Sequence, residues 1–413
     1  SIPAWRLVWW IFLIPALGVA AQSAEPGRSR LPADAEGPPP FADSQQAEED
    51  RRLRAEQLDA ARELYREYPQ SDALPVLGVV HFEQGDLEGA IRFWEEALRL
   101  EPGALRLHGR AQTLSNLGDA LRTRGEFPRA ETMLREALRV DLRRQDARQR
   151  LAQLLYDQDR LEESLAVLDE DNLKTPPAHL LRGQTFQRLE RMAEAKRSLE
   201  EAIRLDPALV QAYYGLAMTC ARLGDQAKAD EYRQQFATLR AAQQESGRVI
   251  RRLYDPLHST RQSVAQTHTQ VAWVYEAQGR LDKAEALWKR AAAIDPADTA
   301  CRFHLLMLYQ KGGRNQDGLE VCREMIQAEP ANAMHHISLG NFHVRLQQRP
   351  EAEAAYRKAT ELAPNRPEPC FALAQFYLQG TTNLAEAVRL AQRAVDLAPA
   401  APHYFMLGRA LAR

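Results

Sequence analysis

The apolar positions of this chain follow a helical period, and no segment alternates well enough to predict a strand. Over residues 47–67, Leu53, Leu58, Ala61 and Leu64 fall on one face of an otherwise charged segment, which predicts an amphipathic capping helix whose apolar face needs covering. Downstream, short helical runs such as Ala97-Leu98-Arg99-Leu100-Glu101 end repeatedly at a proline, at positions 102, 207, 296, 330, 364 and 399. Proline lacks the amide hydrogen that continues a helix and biases the residue before it away from helical geometry, so each one is a stop. Pro296, Pro330 and Pro364 are spaced by 34 residues. A fixed period of that size predicts a stack of helix pairs rather than ordinary globular domains.

Within a period, packing sets the residue types. The clearest copy runs from His268 to Pro296: Val271, Ala272 and the aromatic Tyr275 in the first helix, Gly279 at the turn, Ala284 and Trp288 in the second. Small residues let two antiparallel helices approach, and the aromatics fill the space beside them. Leu77-Gly78, Gly85, Ala90, Trp94 and Ala97 make a first copy, and Leu117-Gly118, Gly125, Ala130 and Ala137 a second. The third, about 145–178, has Asp159 for the turn glycine and Ser164 for the small alanine. Tyr404, Leu407, Gly408 and Leu411 open a tenth pair as a single helix. Over about residues 71–411 this pattern resembles the tetratricopeptide repeat family. The resemblance implies an all-α, right-handed α-α superhelical solenoid, in which the first helix of each pair lines a concave groove that holds extended peptides or partner helices.

Ahead of the repeats, Arg6, the apolar run Leu7 to Ala21 and the small residues Val19-Ala20-Ala21 match a secretory signal. The run is about 15 residues against the ~20 of a spanning helix, so residues 1–21 are read as a signal peptide and the chain as exported to the periplasm or outside a bacterial cell. The alternative is a membrane anchor over residues 2–21, with Trp5, Trp9, Trp10 and Phe12 at the interface. Residues 22–44, with Pro26, Pro32 and Pro38-Pro39-Pro40, read as an extended linker. The capping helix then spans 45–70, a first arm of about five repeats 71–243, and a second arm of about four repeats plus a terminal helix 265–413. Between the arms, 244–264 is a helical insert: the sixth repeat begins about 20 residues late, which predicts a long helix, a break at Asp255-Pro256 and an extended entry helix.

Charge narrows the work such a chain can do. Lys and Arg number 54 and Asp and Glu 56, a net charge of -2 that argues against a dedicated nucleic-acid binder, which needs a strongly basic footprint. No H-E-x-x-H or G-x-S-x-G occurs, and Gly313 and Gly318 are followed by Leu319-Glu320 where a phosphate loop needs Lys and Ser or Thr. His335, His336 and His343 read as packing residues, and Arg143-Arg144, Arg148 and Arg150, mixed with Asp141 and Asp146, as a solvated face. The four cysteines, Cys220, Cys301, Cys322 and Cys370, sit at helical positions, Cys301 and Cys322 being the pair placed to join if any does. No catalytic, metal-binding or cofactor-binding residues are assigned, and the chain is not read as an enzyme.

Projecting the first helices at 3.6 residues per turn gives the groove-facing positions. Repeats two to four offer polar groups there: Gln112, Ser115, Asp119, Arg122, Gln149, Gln153, Gln184 and Arg188. Repeats five to nine offer an apolar stripe, of which Tyr214, Met218, Trp273, Phe303, Met307, Ile337, Asn341 and Phe371 form the expected peptide-binding groove, with Met334, Gln375 and Leu378 beside them. The expectation is a non-catalytic scaffold that binds a protein or peptide, touching membrane only through an uncleaved N-terminus. The alternatives are an accessory module of an enzyme whose catalytic part is separate, or a self-assembling envelope protein.

Overall fold

A computed structural model describes residues 44–413 except 101–102, 104, 106–108, 170–174, 254–256 and 381–382, without side chains at 44 and 243–253. The expected signal or anchor (1–21) and the linker up to residue 43 lie outside these residues. The described residues form helices and no strand. Helix α1 (Ser44–Glu67) precedes α2 and α3 (Ala73–Glu83, Leu87–Arg99), α4 and α5 (Gly109–Arg124, Phe127–Val140), α6 and α7 (Gln145–Asp157, Leu161–Asp169), and α8 and α9 (Pro176–Arg188, Met192–Leu205). Then come α10 and α11 (Val210–Arg222, Gln226–Leu253), α12 and α13 (His258–Ala277, Leu281–Ile294), and α14 and α15 (Ala300–Gly312, Asn315–Ala328). The last are α16 and α17 (Ala333–Arg345, Arg349–Leu362), α18 and α19 (Pro367–Gly380, Leu384–Leu397), and the single helix α20 (Ala401–Leu411).

The pairs form for the reasons the pattern contains. Asp86 caps α3 by accepting a hydrogen bond from the Gly89 amide at 2.9 Å, and Thr175 does the same for α8 with Ala178 at 3.3 Å. Between the helices of a pair the chain turns through a left-handed residue, with Gly85, Gly125, Gly224, Gly279 and Gly313 at φ between 70° and 88°. Each pair then closes tightly. A Cβ added at Gly78 would lie 2.4 Å from the Trp94 indole, and one at Gly118, Gly183 or Gly340 would strike Leu134, Leu199 or Tyr356. Trp94 is fully buried and donates its indole hydrogen to the Pro75 carbonyl at 3.2 Å, so that this large side chain carries no unmet donor.

The described residues divide into two compact units, 44–274 and 275–413, with the division inside α12. The sequence reading drew its arms at 71–243 and 265–413. In the first unit one continuous core runs from Ala90 and Trp94 through Leu117, Leu134 and Leu151 to Leu181. In the second, a core joins Tyr356, Phe376, Tyr377 and Leu390 to Met406 of α20. One expectation of a solvated surface is corrected: Arg148 is buried and donates to the Leu142 carbonyl at 2.7 Å, tying the α5–α6 connection to α6.

Candidate partner-binding face

In each unit the first helix of a pair turns one side to its partner and the other outward, so the outward side is where a ligand can be met. In the second unit α14 presents Phe303 at 45% exposure with Met307 half-buried beside it on the same face. Next along, α16 presents Met334 at 44% exposure and Asn341, whose side-chain oxygen accepts a hydrogen bond from the Tyr356 hydroxyl at 2.6 Å. On α18, Phe371 is half-buried with its ring centroid 5.5 Å from that of His403. A shallow pocket of about 320 Å³ opens next to Met334, walled by Ala363, Arg366, Glu368 and Pro369.

Two members of the expected stripe are corrected. Ile337 is only 8% exposed and Leu378 is buried, both within the core that joins α16, α18 and α20. The helices here sit close enough that these positions face a neighbouring helix rather than solvent. Tyr214, Met218 and Trp273 belong to the other unit; Tyr214 and Met218 are 54% and 43% exposed, and Trp273 is half-buried.

The apolar character of this face holds at neutral pH. Burial holds the His304 imidazole below its ordinary range, and its ring stacks on Trp288 at 5.1 Å and meets Phe303 edge-on at 6.1 Å. Burial likewise lowers His336. The three neighbouring histidines are engaged separately: His335 with Glu329 at 2.8 Å, His336 with the Pro330 carbonyl at 3.4 Å, His343 with Gln348 at 2.7 Å. Cys301 and Cys322 are free and buried, and burial pushes both thiols up to about 12.

The first unit presents different chemistry on α4 and α6. Ser115 donates to Asp146 at 2.8 Å, and Arg150 reaches Ser115 at 2.8 Å and Asn116 at 3.3 Å. Arg122 pairs with Asp119 at 2.9 Å, and Arg144 donates to Gln112. These groups largely satisfy one another across the repeats, so the wall is polar without being strongly charged.

Profiles of the tetratricopeptide repeat match residues 70–143, then 115–172, 180–238 and 303–367, and also 265–290. The chain belongs to the tetratricopeptide repeat family. Over 118 residues it is 33% identical to protein O-mannosyl-transferase Tmtc1 of Drosophila melanogaster; that alignment takes in 27% of this chain, which spans only 14% of the relative's length. Among solved structures, MamA aligns at 19% identity over 41% of this chain and 97% of its own, with a TM-score of 0.38. A MamA from Desulfovibrio magneticus RS-1 aligns at 22% identity over 45% and 97%, with a TM-score of 0.37. The Cut9–Hcn1 hetero-tetramer of the APC/C aligns at 16% identity over 84% and 64%, with a TM-score of 0.30.

Proposed function

We propose that this chain is a non-catalytic scaffold, and that the α14–α16–α18 face of its second unit holds an apolar peptide or partner helix. The observation that carries this reading is the pairing of Phe303 and Met334, two large apolar side chains nearly half exposed on the outward face of successive first helices. Each helix pair already has a filled core, so neither side chain is needed for the fold. An exposed apolar row on a first helix is therefore surface kept for contact. Removing such side chains from water yields roughly 25 cal/mol per Å², and aromatic anchors dominate interfaces of this kind. Met334 and Met307 are unbranched and flexible, which suits a surface that accepts related rather than identical sequences. Asn341 supplies a polar group beside the row to fix a peptide's register.

The N-terminal signal pattern supports export to the envelope, with the linker spacing the repeats from the membrane while the leader is attached. The direct test is titration of the purified chain with synthetic peptides bearing spaced apolar anchors. Replacing Phe303 and Met334 together by Ala is expected to weaken binding at least tenfold with unchanged circular dichroism; undiminished binding would move recognition off this face.

A further inference from the structure

Helix α20 turns Met406 and Ala410 into the core of the second unit and presents its opposite side to solvent. That outer side carries Ala401, Tyr404, Phe405, Gly408, Leu411 and Ala412, all exposed and none charged. Tyr404, Phe405 and Leu411 are 54%, 63% and 67% exposed. A helix on the outside of a repeat stack is expected to carry a polar outer face, because such arrays stay soluble through polar caps. A helix apolar on both sides is one built to be covered on both.

Other repeats show what this face is shaped to take. Leu407-Gly408 stands in α20 where Leu77-Gly78, Leu117-Gly118 and Leu339-Gly340 stand in α2, α4 and α16. In those helices the glycine is a seat for a large side chain of the facing antiparallel helix. An added Cβ would lie 2.4 Å from Trp94 at Gly78, 2.7 Å from Leu134 at Gly118 and 2.7 Å from Tyr356 at Gly340. At Gly408 nothing described lies within 4 Å, so the seat is open. The flanking positions agree: Leu114 and Leu121, the counterparts of Tyr404 and Leu411 in α4, are both buried. Helix α20 therefore keeps the side of a first helix that receives an antiparallel neighbour.

We propose that a second copy of this chain supplies that neighbour, the two α20 helices packing antiparallel about a two-fold axis level with Met406. The face is self-complementary in this register. Tyr404 falls opposite the partner's Gly408, and Leu411 opposite the partner's Ala401, so each large side chain meets a small one and symmetry repeats both contacts. Tyr404 enters the kind of seat that Trp94 and Tyr356 fill within their own pairs. The antiparallel sense also brings opposite ends of the two helix dipoles together. No charge is buried, because Arg409 lies at the margin with its guanidinium 5.8 Å from the centroid of the Phe405 ring. An eleven-residue helix is about 16 Å long, which places the contact at the small end of specific interfaces, so the dimer dissociates on dilution.

Sedimentation velocity of the full chain should show dimer as concentration rises through the micromolar range. Tyr404→Glu and Gly408→Leu should each raise the dissociation constant at least tenfold; both positions are open within the single chain, so the fold is kept, which circular dichroism checks. Cross-linking reads the register. A Tyr404→Cys chain mixed with a Gly408→Cys chain should oxidise to a linked pair in preference to either variant alone. Like positions are offset by four residues, about 6 Å along the helices on top of the interhelical spacing, which is beyond disulfide reach. The four native thiols are buried and do not compete. A chain that stays monomeric at every attainable concentration, a dimer unaffected by both substitutions, or Tyr404→Cys chains that link equally well to one another overturn the proposal. So does protection of the Tyr404→Cys thiol from maleimide at nanomolar concentration, which would show that a segment of the same chain covers this face.

Discussion

Four turns in this stack hold a left-handed residue with a side chain where the others hold glycine, Asn383 at φ 51° before α19 being one of them. The other three, Asp159, Glu190 and Gln347, occupy the left-handed region at φ of 63°, 59° and 60°, a conformation that costs an L-residue about 1 kcal/mol or more. Replacing any one by Gly is expected to raise the melting temperature by a few degrees, read by thermal circular dichroism; no change would show that the strain is relieved locally. The converse test is at Gly78, where Ala would drive a Cβ into the fully buried Trp94 and is expected to destabilise by about 1–3 kcal/mol. Gly408 has nothing within 4 Å of its missing Cβ, so Gly408→Ala should be neutral or slightly stabilising. Cys301 and Cys322, with thiols pushed up to about 12, should resist iodoacetamide at pH 8 in the folded chain and react once it is denatured. At this scale the sequence showed that Asp159 stands in the glycine position. The conformation it would keep there depended on whether the pair could still close, which Ser164 allows by donating its hydroxyl hydrogen to the Ala152 carbonyl at 2.8 Å.

Helix pairs are registered to one another by a recurring cation. Arg160, Arg191 and Arg314 each sit at the start of a second helix and pair with a glutamate of the preceding second helix: Glu131 at 2.5 Å, Glu162 at 3.8 Å and Glu285 at 2.5 Å. Each also pairs three residues ahead, with Glu163, Glu194 and Asp317. Arg191 and Arg314 further lie over Phe186 and Tyr309, at 4.7 Å and 4.5 Å from the ring centroids. Burial opposes ionisation of Glu285, but hydrogen bonds from Arg314, Lys289 and Tyr309 outweigh it and lower the carboxyl to about 2. A carboxyl with a depressed folded pKa stabilises above its unfolded value of ~4.3 and loses that contribution as pH falls toward the folded one. The stability difference between the native chain and Glu285→Gln should thus be full at pH 5 and vanish near pH 2, as measured by urea titration.

The element scale also marks where the sequence stopped being legible. A face of α1 was visible in Leu53, Ala61 and Leu64, and the structure buries all three. Asp50 and Gln57 share that face and gave no apolar signal, because their partners are hydroxyls on α12, some 210 residues away in the chain. Local periodicity reports which side of a helix is covered by apolar neighbours; it carries no information about a polar contact between distant helices. The same limit applies to Ile337 and Leu378, whose positions on a first helix are groove-like by projection but which face a neighbouring helix once the pairs are stacked.

Across the whole molecule, family and architecture were readable because each repeat states them again, and an error in one copy is outvoted by the rest. The binding face was readable only as a set of projected positions. The structure separates these into two units and leaves Phe303 and Met334 as the most exposed large apolar side chains among the projected positions of the second. The most direct measurement of the central claim is calorimetric titration of the full chain with peptides selected against it from a random library, repeated with the Phe303→Ala, Met334→Ala double variant. Peptides with spaced apolar anchors should bind the native chain and lose at least tenfold in affinity for the variant, about 1.4 kcal/mol. Equal affinity for both chains, with folding unchanged, would contradict the assignment of recognition to this face.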